Sequence, residues 1–367
     1  LIFLFISKLL LSNFRNYEKT TISFSSNINV LYGRNGSGKT NVLEAINILS
    51  RGKSQRITKD NELIMLDKDA FLIKGLLNSN GYESTVQCSY NQGKGKKLLY
   101  NGQSITNSKE LFSQLPTVSF LPENLDLIKG GPEQRRLFLD DILVVISVQY
   151  KDYLNRYSKV LYQRNQLLKD IRKKGLTKDA LDSWDNQLIY YGDRIIKYRY
   201  KLLYEIRPFL QKNYVKLADS EETVTFQYTN TLAEQGEDQY DKLLLKKREE
   251  DIARGYTSVG PHRDDLLLLI NQQKARSFAS QGQQRSIVLA LKLAEVEYLA
   301  KILGRWPILL LDDVMSELDV QRRMGLVSLA KLTGQVFLTT TEKDHVPEEL
   351  GSATYFFIDN GSIQRKD

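Results

Sequence analysis

The chain has 367 residues and 41% hydrophobic content, which allows two domains with a sizeable core and excludes a disordered chain. Its 52 Lys+Arg against 44 Asp+Glu leave a net charge of +8. That excess suits an acidic partner such as nucleic acid; spread evenly, it means solubility alone. The single cysteine, Cys88, excludes a disulfide framework or a cysteine zinc site and fits a reducing, cytoplasmic setting. His262 and His345 are too far apart in sequence to suggest a metal site.

The opening LIFLFISKLLL lacks a basic start and a small-residue cleavage site, and Lys8 interrupts it, so a buried first strand is expected rather than a signal peptide. It is too short to cross a bilayer as a helix, and no other stretch is apolar enough, so no membrane association is expected. Up to about residue 122, short β-rich runs alternate with Gly, Asn and Ser; NQGKGKK at 91–97 reads as a hairpin tip on an antiparallel sheet. Gly130-Gly131 breaks the chain and Pro132 suits the first turn of a new helix. From there to about 216 the pattern is helical, and ten of the 20 tyrosines lie between 150 and 214. Two long antiparallel helices, turning near KKGLTKDALDS, explain this segment, and a tyrosine stripe at helix spacing reads first as a packing seam. One strand is expected at Thr223 to Tyr228. From Thr257, a helix at Gln281 to Ile302, a strand at Pro307 to Leu311 and a strand at Val336 to Thr339 alternate as in an α/β domain. Boundaries at 1–122, 123–256 and 257–367 follow.

Gly33-Arg34-Asn35-Gly36-Ser37-Gly38-Lys39-Thr40 matches the phosphate-binding P-loop pattern in full, with a strand before it and the helix NVLEAINIL after it. The glycines let backbone wrap phosphate, and the helix N-terminus favours its charge. Lys39 is expected to neutralise β- and γ-phosphates, Thr40 to offer a hydroxyl to Mg²⁺, and Asn41 to adjoin the ATP. The apolar run ending in Asp312 and Asp313 reads as a strand buried on both faces, with carboxylates where such sheets bind ligands. Asp312 is expected to hold Mg²⁺ and Asp313 to polarise the attacking water, which makes Asp313 and Lys39 the catalytic candidates.

Ser280, Gln281, Gly282 and Gln283 open the next helix, with Ser280 a sound N-cap. A cap alone would explain Ser280; SQGQ also resembles the signature of ATP-binding-cassette (ABC) ATPases, which grips the γ-phosphate bound to a second subunit. By the same resemblance, residues 316–319 (SELD) stand at the D-loop position and Thr340 at the switch position, with His345 offset from it.

The blocks LLLSNFRNYEKTTISF, NINVLYGRNGSGKTNVLEAI, LPENLDLIKGGPEQRRLFLD, YQRNQLLK, TSVGPHRDD, SQGQQRSIVLALKLAE and ILLLDDVMSELD, in this order and over nearly the whole chain, closely resemble the RecF family, bacterial DNA replication and repair ATPases related to Rad50 and SMC heads. Blocks such as QRN and GPHRDD are far more specific than a P-loop; the apolar start LIFLFI departs from the family pattern. The resemblance implies an α/β, ABC-type ATPase head with an inserted helical arm, and ATP sandwiched between the P-loop of one protomer and the signature of the other. ATP and Mg²⁺ would then close a homodimer, and slow, DNA-stimulated hydrolysis would open it. It also implies action at single-strand gaps and junctions in DNA repair, replication and the SOS response, supporting RecA loading with RecO and RecR. Arg15 and Asn16 match the family's FRN motif near the nucleotide, and Arg263 and Asp264 would hold a loop near it.

Basic residues on the head and arm are the DNA candidates: Arg51, Lys53, Arg56, Lys94, Lys96 and Lys97, with Arg135 and Arg136. Each reads equally as a solvated surface charge, and Arg135 and Arg136 could instead pair within the arm. Two other classes fit a P-loop: an ABC-type transport ATPase subunit, and a metabolic kinase. The insert between P-loop and signature, with the FRN and QRN blocks, favours the clamp.

Overall fold

The structure, a computed structural model, describes residues 4–57, 59–218, 221–229, 240–315, 320–343, 346 and 350–366. Leu1 to Phe3, the expected D-loop at 316–319 and His345 lie outside them. The chain forms two compact units: Leu1–Asn124, Lys212–Glu221 and Arg285–Asp367 make the first, and Leu125–Gln211 with Glu222–Gln284 the second.

The first unit carries β1 (Leu4–Phe14), β2 (Tyr17–Ser23), β3 (Ile28–Tyr32), β4 (Ala70–Ser79), β5 (Tyr82–Asn91), β6 (Gly95–Tyr100), β7 (Gln103–Ser104) and β8 (Thr117–Phe120). In β1, Leu4 and Ile6 are buried, and then Leu9 and Leu11. An irregularity between Ile6 and Lys8 shifts the register against β4 and so reverses the parity of the inward positions. An antiparallel sheet in the order β2-β1-β4-β5-β6-β7 results, with the tip at 91–95 joining β5 and β6.

Later in the chain come β9 (Val224–Thr229), β10 (Asp265–Ile270), β11 (Gln273–Lys274), β12 (Ile308–Asp312), β13 (Val336–Thr340), β14 (Ala353–Asp359) and β15 (Ser362–Lys366). The second sheet of the first unit runs β15-β14-β3-β13-β12-β8 and is parallel except for β15. Every residue of β12 and β13 is buried, as a central parallel strand demands. The helix Lys39–Arg51 packs against strands of both sheets, and Val42, Leu43, Ile46 and Leu49 belong to the core it shares with them. It ends where Gly52, at φ 71°, donates its N–H to the Ile48 carbonyl.

The second unit holds the helices Pro132–Ile146 and Val148–Lys174, most of Asp182–Ala218, and a small sheet β11-β10-β9. Pro132 stands in the first turn of its helix, and the two long helices meet through a short turn at Lys178–Leu181. The boundary expected at 256/257 falls at 284/285 instead. The reason is pairing: β10 lies antiparallel to β9 over six residues, which ties 265–270 to the second unit. The end of the long helix returns to the first unit, where Lys212 and Asn213 both hydrogen-bond Glu297.

Buried ions organise this second unit. Arg164 of the QRN block is fully buried and bonds Asp185, Asp251 and the Thr257 hydroxyl, while Asn165 accepts from Thr257 N–H and Oγ1. His262 Nδ1 lies 2.6 Å from the Tyr157 hydroxyl, and Arg263 donates to the Thr257 carbonyl. The blocks YQRN and TSVGPHRDD are therefore two halves of one network. Arg135 grips both oxygens of Asp265, and Arg136 donates to the Asp264 carbonyl, so both pair within the arm. The tyrosine stripe divides: Tyr150 and Tyr157 are buried, whereas Tyr162, Tyr190 and Tyr204 are exposed.

Candidate nucleotide site

β3 delivers the chain into the P-loop at Gly33. A Cβ there would lie 2.2 Å from the Ile358 carbonyl oxygen, and one at Gly38 would lie 2.6 Å from Asn16 Nδ2; both sit at positive φ, so only glycine fits. Lys39 Nζ curls back to donate to the carbonyls of Gly33 (2.6 Å) and Arg34 (2.9 Å). Burial pulls the Lys39 pKa below its ordinary value, with Asp313 and Asp312 acting against that shift. Arg34, Asn35 and Gly36 are exposed at the loop tip, whereas Ser37 Oγ is buried and has no hydrogen-bond partner among the described residues.

The turn between β1 and β2 props the loop from outside. Asn16 Nδ2 donates to the Ser37 carbonyl (2.9 Å), Asn41 Nδ2 donates to Asn16 Oδ1 (2.9 Å), and the buried Tyr17 hydroxyl donates to the Gly38 carbonyl (3.0 Å). Gly361, in the turn between β14 and β15, donates its N–H to the Ser37 carbonyl. A Cβ on Gly361 would meet the Asn16 carbonyl oxygen at 2.3 Å. Arg15, at φ 53°, is held by a bidentate pair with Glu44 on the P-loop helix, and Ser54 donates to the same carboxylate. Arg15, Asn16 and Asn41 also line a cavity of about 520 Å³ with Arg56, Ile57, Glu62 and Ile64.

Asp312 ends β12 beside the loop. Its Oδ1 accepts hydrogen bonds from Thr40 Oγ1 (2.9 Å) and Thr339 Oγ1 (2.7 Å). Burial raises its pKa above the usual carboxylate range, and those two hydroxyls partly offset the rise. Asp313 follows at φ 51°, and its N–H donates to Thr339 Oγ1 (2.9 Å). Thr340, the expected switch residue, donates instead to the Glu342 carbonyl.

These groups fit the ligands expected of them. The orphaned Ser37 hydroxyl, the glycine-only cradle and a lysine whose direct partners are uncharged carbonyls suit an anion. A hydroxyl touching a carboxylate offers the hard oxygen donors Mg²⁺ prefers. No cluster of three or more His, Cys, Asp or Glu suited to a metal exists among the described residues; a Mg²⁺ held by Thr40 and Asp312 would take the rest of its shell from phosphate oxygens and water.

Ser280 and Gln283 form a reciprocal cap: Gln283 N–H donates to Ser280 Oγ (3.2 Å) and Ser280 N–H to Gln283 Oε1 (2.7 Å). Ser280 and Gln281 are exposed, and Gln283 is anchored to Glu222. They belong to the second unit and the P-loop to the first.

Among the DNA candidates, Arg51 needs correction. It is buried, lies over the Phe112 ring and pairs with Glu295 at 3.8 Å, because the last turn of the P-loop helix faces the core. Lys53, Arg56, Lys94, Lys96 and Lys97 lie at the surface; Lys96 pairs with Asp60, and Arg56 stands 3.9 Å from Glu44. Sequence reasoning missed Tyr17, Glu44, Thr339 and Gly361. Tyr17 alone had a signal, its place next to FRN.

Residues 5–362 match the family described as the RecF/RecN/SMC N-terminal domain. The DNA replication and repair protein RecF of Natranaerobius thermophilus is 38% identical over 97% of each chain. A solved structure of the recombination mediator protein RecF-ATP in the RecFOR pathway aligns at TM-score 0.89 and 34% identity, covering 99% of this chain and 98% of that one. The Smc head domain of Pyrococcus furiosus, bound to part of ScpA, aligns at TM-score 0.56 and 16% identity over 99% and 96%, a likeness of fold. The architecture is thus the ABC-type head expected from the sequence. This chain belongs to the RecF family, within the wider group of RecF, RecN and SMC N-terminal domains.

Proposed function

We propose that the chain is an ATP-driven DNA clamp of recombinational repair, a slow ATPase whose hydrolysis acts as a timer. The observation that carries this reading is the convergence of Thr40 on Asp312 beneath a P-loop that admits only glycine at 33 and 38, with Asp313 next in the chain. Backbone N–H groups of 33–40 and Lys39 would bind the phosphates, exchanging the Lys39 contacts to Gly33 and Arg34 for phosphate oxygens. The cavity between Arg15, Ile57 and Ile64 would take the base. Mg²⁺, held by Thr40 and Asp312, would neutralise charge on the phosphates. Asp313 would orient the attacking water.

Ser280 and Gly282 of a second copy would complete the site, their helix N-terminus turned to the γ-phosphate. Lys53, Arg56, Lys94, Lys96 and Lys97 would contact DNA phosphates at gapped or junction substrates, giving binding that is salt-dependent and weakly sequence-specific. The RecFOR pathway named for the solved relative supports partnership with RecO and RecR, with which the chain would assist RecA loading. Light scattering with ATP tests the clamp. Asp313→Asn should form a stable dimer with ATP, and adding Ser280→Arg should return it to monomer while nucleotide binding persists. A dimer undiminished by Ser280→Arg would refute the role in trans.

A further inference from the structure

Thr339 lies on β13, which pairs with β3 on one side and β12 on the other, and so stands between the strand feeding the P-loop and the strand ending in Asp312. Its hydroxyl is fully buried and is used in both directions. It donates to Asp312 Oδ1 at 2.7 Å and accepts the Asp313 N–H at 2.9 Å. A hydroxyl has one hydrogen to give, so accepting from Asp313 leaves Asp312 as the direction of its donation. One oxygen atom thereby fixes the carboxylate of the first acid and the backbone of the second. The second needs fixing, since a non-glycine residue at φ 51° occupies a sparsely populated conformation held only by its surroundings.

We propose that Thr339 is a positioning residue for ATP hydrolysis, setting the metal-holding Asp312 and the water-orienting Asp313 through its single hydroxyl. This deepens the reading of the site as a Mg²⁺-dependent ATPase and rests on it. Thr40 reaches only Asp312 in this cluster, and Thr340 bonds elsewhere, so neither substitutes for the bridge.

The test compares Thr339→Val, which keeps the shape and removes the hydroxyl, with Thr339→Ser, which keeps the hydroxyl and removes the methyl. Loss of a residue orienting a metal ligand is expected to lower kcat by about tenfold or more in Thr339→Val, while KM for ATP stays within about threefold. Mn²⁺ binding in the presence of a non-hydrolysable ATP analogue, followed by electron paramagnetic resonance, should weaken by at least about tenfold in the same variant, with Thr339→Ser close to wild type in both. If Thr339→Val does not fold, Thr339→Ala takes its place under the same criteria. The proposal is overturned if the hydroxyl-free variant matches wild type in kcat and Mn²⁺ affinity, or if Thr339→Ser is as impaired as Thr339→Val. A wild-type protein that neither hydrolyses ATP nor binds Mn²⁺ with the analogue overturns the ATPase reading as well; an active wild type beside an indifferent Thr339 overturns this inference alone.

Discussion

Lys39 and Arg164 are both buried cations, one in each unit, and they are held in opposite ways. Lys39 donates to two backbone carbonyls, which solvate its charge without cancelling it. Arg164 meets two carboxylates, Asp185 and Asp251, that do cancel it. A carbonyl-held lysine can exchange its partners for phosphate oxygens. A carboxylate-held arginine cannot leave without stranding the buried Asp251, although Asp185 would keep its pair with Arg248. Burial of charge alone therefore does not mark a binding site; the kind of partner does.

This contrast can be broken most visibly at Arg164. Arg164→Ala should destabilise the protein by about 3–5 kcal/mol, read from chemical denaturation, because the Asp251 carboxylate is left uncompensated inside. A loss below about 1 kcal/mol would place Arg164 with Lys39 rather than against it. Lys39→Ala should leave stability nearly unchanged and weaken ATP binding about ten- to a hundredfold, the worth of one charged hydrogen bond lost. Titration calorimetry and a melting curve on the same sample separate the two effects.

At the surface, Lys94→Glu with Lys97→Glu should weaken DNA binding without altering ATP affinity, and should flatten the salt dependence by about one unit of slope per lysine. An unchanged slope would assign both lysines to solvent.

The smallest effect concerns pH and belongs to the network of the second unit. Burial lowers the His262 pKa to about 4, below its unfolded value, so His262 costs stability as pH falls from 6.5 towards 4. Burial raises the Asp264 pKa to about 6, above its unfolded value, so Asp264 gives back stability as pH falls through the same range. The two oppose each other, and acidification from pH 7 to 5 should move the melting temperature little. Asp264→Asn removes the compensating group, and its melting temperature should drop by a few degrees more than that of wild type over that interval. Parallel curves would show that the two groups do not offset each other.

The P-loop and the acidic strand end were legible because their chemistry is contiguous: eight residues carry the loop, and a run of buried apolar residues announces the strand. Thr339 and Gly361 were not, because each acts on residues far away in sequence, and strand pairing alone brings them close. Among three consecutive threonines, sequence favoured Thr340, whereas β12–β13 register sets Thr339 beside Asp312. Arg51 misled because a charge at the end of an amphipathic helix looks exposed until Phe112 and Glu295 cover it. The boundary at 284/285 was hidden because β10 follows GPHRDD and resembles the start of the α/β segment, yet pairs backwards with β9.

The central claim is that one active site is shared between two copies, the P-loop from one and Ser280 from the other. Mixing Lys39→Ala with Ser280→Arg tests it most directly by ATP hydrolysis. Each variant alone should be inactive; together they should recover a substantial part of the wild-type rate, because the intact signature of the first meets the intact P-loop of the second. A mixture as inactive as its components, under conditions where wild type hydrolyses ATP, would contradict a site built in trans.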